Sequence, residues 1–144
     1  MTRSKDIGTA HTTAVIRYLR DNGFPHAELR NQAGALDKGD IVGCPGLCWE
    51  AKGGFAAETA SDGQVSMWLR ETEIERRNAK ADIGVLVMKR KAIGARNAGR
   101  YWAVLPFWAV IAAPPDGPVS WAPVRMHLAD AVTALREQGY GEPL

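Results

Sequence analysis

The stretch that most constrains this chain is Asp82 to Met88, DIGVLVM, an almost unbroken apolar run. Strands that expose one face to water alternate apolar and polar side chains, whereas a run like this belongs to a strand covered on both faces. A sheet with helices packed on each side is therefore the expected architecture. At 144 residues, 46% of them apolar, the chain suits one domain with a core of its own.

The elements around that strand follow from local pattern. Ile7, His11, Ala14, Val15, Tyr18 and Leu19 recur at helical spacing, and Asn22-Gly23 supplies a stop, so a first helix spans about 8–22. Pro25 forces extended chain, and Ala27 to Asn31 reads as a strand. Asp40 to Val42 and Leu47 to Lys52 read as a hairpin across Cys44-Pro45-Gly46. Residues 53–63 are small and polar, and read as a loop. A second helix, about 63–79, places Val65, Trp68, Leu69, Thr72 and Arg76 on one face, and Arg70, Glu71, Glu73, Glu75 and Arg77 on the charged one. After the buried strand come a basic loop, Lys89 to Gly99, and a strand from Tyr101 to Leu105. Phe107 to Ala113 suits either a short helix or a strand. Pro114 to Pro118 reads as a turn, Val119 to Met126 as an edge strand, and Leu128, Ala131, Val132 and Leu135 mark a last helix ending at Gly139. The fold class is α/β, with a mixed α+β sheet. Helix, three strands, helix and two strands form a core over about 5–105, and a strand and helix form an appendage over about 106–144.

Several chemistries have no support. Two cysteines, Cys44 and Cys48, cannot staple a secreted domain, and without a second Cys or His pair they do not make a structural zinc site; buried strand positions account for them better. No G-x-S-x-G, Walker loop or dinucleotide fingerprint occurs. The polar start of the chain does not read as a secretory leader. The most apolar stretch, 101–113, contains Pro106 and falls short of the roughly 20 residues a membrane span needs. The expected location is the cytoplasm, that of a bacterium or a phage-infected host. The net charge of +2 names no partner by itself, but residues 37–79 hold five bases and eight acids while 80–100 hold six bases and one acid. That asymmetry is the first functional clue.

The second clue is the constellation Asp40, Glu50 and Lys52. Side chains alternate along a strand, so Glu50 and Lys52 share one face and Trp49 and Ala51 the other. Asp40 opens the partner strand, where its carboxylate can approach that of Glu50. Two carboxylates so close both ionise only around a cation, and hard oxygen ligands suit Mg²⁺ or Mn²⁺. Lys52 would then stand beside the metal, where it can orient a water attacking a phosphodiester. On spacing alone D…E-x-K is weak, since acids and a lysine on a hairpin are commonly a solvated face.

The run GDIVGCPGLCWEAK, set between a helix and strand before it and a helix and buried strand after it, resembles the PD-(D/E)xK nuclease superfamily. More narrowly, the chain is similar over about 5–105 to the small Holliday-junction resolvase-like endonucleases of actinobacterial phages. The matching stretches include GTAHTTAVIRYLRDNGFPHAE and TEIERRNAKADIGVLVMKR. The resemblance implies a restriction-endonuclease-like core and a Mg²⁺- or Mn²⁺-dependent DNA endonuclease acting on branched DNA in recombination. It implies Asp40 and Glu50 as metal ligands, Lys52 as the group that positions the attacking water, and Gln64 as an accessory near the scissile phosphate. It also implies a homodimer. One departure stands out: relatives commonly carry a glutamate early in helix one, and the matching residue here is Thr12, with His11 next to it. A hydroxyl brings no negative charge, so a nuclease-fold DNA-binding module with impaired catalysis is the alternative. Another repair or restriction-like nuclease of the superfamily is a second.

The glycine-spaced cations Lys89, Arg90, Lys91, Arg96 and Arg100 suit backbone phosphate contacts, with Lys89 and Arg90 nearest the active face; Arg17, Arg20 and Arg30 are weaker candidates. The aromatic group Tyr101, Trp102, Phe107 and Trp108 could serve as core, dimer face or base-stacking platform, and core plus interface is favoured.

Overall fold

In the computed structural model, which describes residues 2–31, 34–113 and 120–144, six strands form one mixed sheet whose spatial order equals their sequence order. The elements run α1 (Thr2–Asp21), β1 (Glu28–Leu29), β2 (Ile41–Val42), β3 (Leu47–Lys52), α2 (Gly54–Glu58), α3 (Asp62–Ala79), β4 (Ile83–Met88), a 3-10 turn (Ala95–Arg100), β5 (Trp102–Pro106), α4 (Phe107–Val110), β6 (Pro123–His127) and α5 (Leu128–Glu137). Every neighbouring pair is antiparallel except β3 and β4, which run parallel in register from Leu47 opposite Ile83 to Lys52 opposite Met88. A parallel pair needs a crossover, and α3 provides it.

Strand β4 is buried at all six positions, as its apolar run requires. Its odd-numbered residues, with Trp49, Ala103 and Leu105, pack against Val15, Leu19, Leu128 and Leu135 of α1 and α5. Its even-numbered residues Leu86 and Met88, with Val104, pack against Val65 and Leu69 of α3. Trp49 is fully buried and meets Phe24 edge to face at 6.2 Å. Helix α3 begins on Ser61, whose Oγ accepts the Gln64 N–H at 3.1 Å, and ends at Lys80 in the left-handed region.

Some expectations change. The stretch after β3 is not a plain loop, because Gly54 to Glu58 form a short helix. The basic loop tightens into a 3-10 turn at its end. Residues 107–110 resolve as helix, and the edge strand is Pro123–His127, its Pro at the start where a missing N–H is tolerated. The turn expected at 114–118 and the start of the edge strand at Val119 lie outside the described residues. The expected C-terminal appendage is built into the sheet: β6 pairs with β5, and α5 buries Leu128, Ala131, Val132 and Leu135 in the main core. Residues 128–135 repeat apolar side chains at helical spacing, and that stripe is what docks them. No helix among the described residues is long and apolar enough to cross a membrane.

Candidate metal centre

Alternation along β3 sends Cys48, Glu50 and Lys52 to the α3 face of the sheet and Trp49 to the α1 face. The register Ile41 opposite Trp49, extended by one pair, sets Asp40 across from Glu50. The Asp40 N–H donates to the Trp49 carbonyl at 2.8 Å, and Asp40 Oδ2 accepts the Ala51 N–H at 2.8 Å. These bonds fix the Asp40 carboxylate at the strand end, in contact with that of Glu50. Lys52 Nζ stands 4.0 Å from Glu50 Oε2 and 5.6 Å from the Trp68 ring centroid, so the three residues of the sequence constellation do come together.

Glu75 is the member that pattern did not reveal. It sits on α3 and is buried, not on a solvated charged face. Its position three residues past Thr72 continues the buried stripe Val65, Leu69, Thr72; that spacing is the signal, hidden by the polarity of the side chain. The close approach has a cause in β4: a Cβ at Gly84 would sit 3.1 Å from Thr72 Cγ2 and 3.2 Å from the Thr72 carbonyl oxygen. Asp37 completes the group from the loop before β2. Its carbonyl accepts Asn78 Nδ2 of α3 at 2.8 Å, and its Oδ1 accepts the Gly39 N–H at 3.0 Å. Asp37, Glu50 and Glu75 each offer an oxygen within 4.8 Å of the others. Asp40 touches Glu50 but lies outside that triplet.

The electrostatics are set by burial. The Glu50 carboxyl is pushed far above the usual carboxylate range, first by desolvation and then by contact with Asp40 and Glu75. Lys52, at the limit of ion-pair distance and more exposed, does not outweigh them. Glu75 is shifted upward as well, by burial above all and by Asp37 and Asp40. A contact between two carboxyls is a hydrogen bond only with a proton between them. Among the described residues Glu75 Oε1 is nonetheless buried with no hydrogen-bond partner, the kind of orphan acceptor that a cation satisfies. Oxygen donors alone, several of them anionic, match the ligand preference of Mg²⁺ or Mn²⁺. The residues present therefore fit a divalent ion.

The other expected residues divide. Thr12 is buried and donates its hydroxyl to the Gly8 carbonyl at 3.0 Å, within its own helix. His11 lies within 3.1 Å of the Val87 carbonyl through Nε2, and burial lowers its pKa, which keeps the ring neutral. Gln64 lies in the first turn of α3, one turn before Trp68; among the described residues its side chain makes no hydrogen bond to the acids. Burial raises the Cys44 and Cys48 thiols to about 12, so neither supplies a thiolate near neutral pH.

The basic loop splits between the two faces of the sheet. Lys89 turns toward α2 and the α1 face, 3.5 Å from Glu58 Oε2 and over the buried Tyr101 ring. Arg90 turns to the α3 face, its guanidinium 3.9 Å from the Trp102 ring centroid. Lys91, Arg96 and Arg100 are exposed. Of the aromatic group, Tyr101 and Trp108 are core, Phe107 is largely exposed, and Trp102 belongs to the α3 face. No family model, curated protein or solved structure matches this chain.

Proposed function

We propose that the chain is a divalent-metal-dependent DNA endonuclease with a restriction-endonuclease-like core of the PD-(D/E)xK type, acting on branched DNA. The observation that carries this reading is Glu50, buried among the carboxyls of Asp40 and Glu75 with Lys52 two residues along the same strand. Such a set is costly to keep ionised without a cation and has an ammonium at its rim.

In this reading Glu50 and Glu75 hold the ion, with Asp37 and Asp40 closing the acidic side. A bound Mg²⁺ or Mn²⁺ supplies neutralisation of phosphate charge and a lower pKa for water. Lys52, placed between Glu50 and the Trp68 ring, donates to the attacking water or to a phosphate oxygen and fixes the line of attack. Asp40, anchored by the Ala51 N–H, keeps the carboxylate side rigid. Gln64, one turn before Trp68 on α3, adds a hydrogen bond near the scissile phosphate in this reading.

Thr12 favours the alternative, a nuclease-fold DNA-binding module with impaired catalysis, because its hydroxyl is committed to Gly8. Glu75 speaks against it, since it delivers from α3 the negative charge that α1 lacks. The deciding experiment incubates the chain with a labelled four-way DNA junction, a flap and a linear duplex in Mn²⁺. Cleavage lost in Lys52→Ala and Glu50→Gln is expected; tight junction binding with no cutting under any condition would leave the module.

A further inference from the structure

We propose that Arg90, Arg125 and His127, organised on the Trp102 ring, form a separate phosphate-gripping subsite that holds the DNA strand several nucleotides from the scissile bond. This inference rests on the nuclease reading for its ligand.

The placement comes from strand register. Lys52 pairs with Met88, Met88 with Trp102, and Trp102 with His127, so these four residues form one cross-strand row on the α3 face. Neighbouring strands lie about 4.8 Å apart, which puts Trp102 roughly 10 Å and His127 roughly 14 Å from Lys52 along the row. A duplex strand advances about 3.4 Å per nucleotide, so the row spans about four nucleotides. Arg125 pairs with Val104 and shares the face of His127.

The Trp102 ring gathers the three side chains. The Arg90 guanidinium lies 3.9 Å from its centroid and that of Arg125 5.5 Å, while the His127 ring centroid is 5.5 Å away. Arg90 Nη1 also donates to the Arg100 carbonyl at 3.0 Å and lies 3.2 Å from His127 Nε2. Among the described residues neither Arg90 nor Arg125 has a carboxylate partner, in contrast to Lys89 with Glu58 and Arg76 with Glu73. Two guanidiniums held side by side with no counter-anion repel one another. Stacking on one indole offsets part of that cost and leaves the guanidinium of Arg125, and the N–H groups of Arg90 other than those on Nη1, to meet a polyanion. Single-stranded or splayed DNA beside a junction presents such phosphates.

The test is fluorescence anisotropy with a labelled DNA duplex and a four-way junction, in EDTA so that binding does not depend on the metal centre. Arg125→Gln, at an exposed residue with no hydrogen bond to lose, is expected to weaken binding roughly 5–10-fold near 0.1 M salt and to lower the salt slope by about 1. Arg90→Gln should do the same, and Trp102→Leu should weaken binding with no change in charge. Lys80→Gln, an equal loss of charge at the exposed C-terminal cap of α3, by the start of β4 and so at the far end of that strand from Met88, should stay within about twofold. Thermal melting of Arg125→Gln equal to wild type shows that the fold is intact. Arg125→Gln indistinguishable from Lys80→Gln overturns the subsite while Mn²⁺ cleavage by wild type still upholds the nuclease. Weakened binding with no wild-type cleavage upholds the subsite and removes the nuclease. A wild-type chain that binds neither DNA overturns both.

Discussion

Glu50 leaves the centre of the sheet and Glu75 leaves the helix that crosses above it, and their carboxyls meet in a contact screened from water. Among the described residues neither side chain has a cation closer than Lys52, at 4.0 Å from Glu50. Their proton equilibria are therefore linked to the stability of the fold, and so would be the binding of a cation between them.

The first consequence is an unusual pH dependence. Glu50 and Glu75 hold their protons more tightly folded than unfolded, so above an ordinary glutamate pKa the folded chain binds more protons than the unfolded one. Stability without metal is then fully present at about pH 4.5 and declines as pH rises through neutrality toward the folded values, by up to about 1.4 kcal/mol per group per pH unit. The melting temperature in EDTA should fall between pH 5.5 and 8.5, and 5 mM Mn²⁺ should restore it at the higher pH only. A flat profile in both conditions would remove the coupling.

The second concerns which helix supplies the missing acid. Glu75→Gln should lower Mn²⁺ affinity at least about tenfold by calorimetry, because it removes a carboxyl of the proposed metal site that is already buried beside Glu50. Thr12→Ala should leave that affinity within about twofold and cost about 1 kcal/mol, the ordinary worth of its bond to Gly8. In EDTA at pH 8, Glu50→Gln should melt higher than wild type, since the neutral amide spares the proton that Glu50 must take up on folding.

The third uses Gly84. Gly84→Ala would press on Thr72 and Arg76 and lift α3 from β4 by a few tenths of an ångström. Mn²⁺ affinity should drop more than stability does, and the loss should be smaller in a Gly84→Ala/Thr72→Ser double variant that removes the Thr72 methyl. By contrast, Gly43→Ala should cost at least about 2 kcal/mol in urea unfolding without touching the metal centre. Gly43 has φ 87°, and a Cβ there would overlap the His26 carbonyl oxygen.

The fourth separates two neighbours in the basic loop. Lys89→Ala should leave the salt slope of DNA binding unchanged, because its charge is already matched by Glu58, whereas Lys91→Ala and Arg96→Ala, at exposed cations with no ion-pair partner among the described residues, should each reduce it by about 1.

Much of this was readable in the chain because it rests on short-range rules. The apolar run 82–88 announces a strand covered on both faces, and alternation along 47–52 sends Glu50 and Lys52 one way and Trp49 the other. The Asp40–Glu50 encounter follows from a turn at Cys44-Pro45-Gly46. Asp37 and Glu75 were not readable. Asp37 reaches the cluster through a loop held by Asn78, a contact 41 residues away in sequence. Glu75 lies beside charged residues of both signs, and only the depth to which α3 sinks at Gly84 decides that it is inside. The division of Lys89 from Arg90 was equally hidden, since it depends on where β4 ends relative to β5.

The parallel pairing of β3 with β4 has a kinetic meaning. Residues 53–82 must cross over before the two strands can align, and the crossing segment is the one that carries Glu75 to Glu50. The sheet centre and the acidic cluster are thus completed in a single event. An ion bound there acts as a clasp on the crossover, one that must open before the central strands can separate, so it is the rate of unfolding that loading with Mn²⁺ should slow.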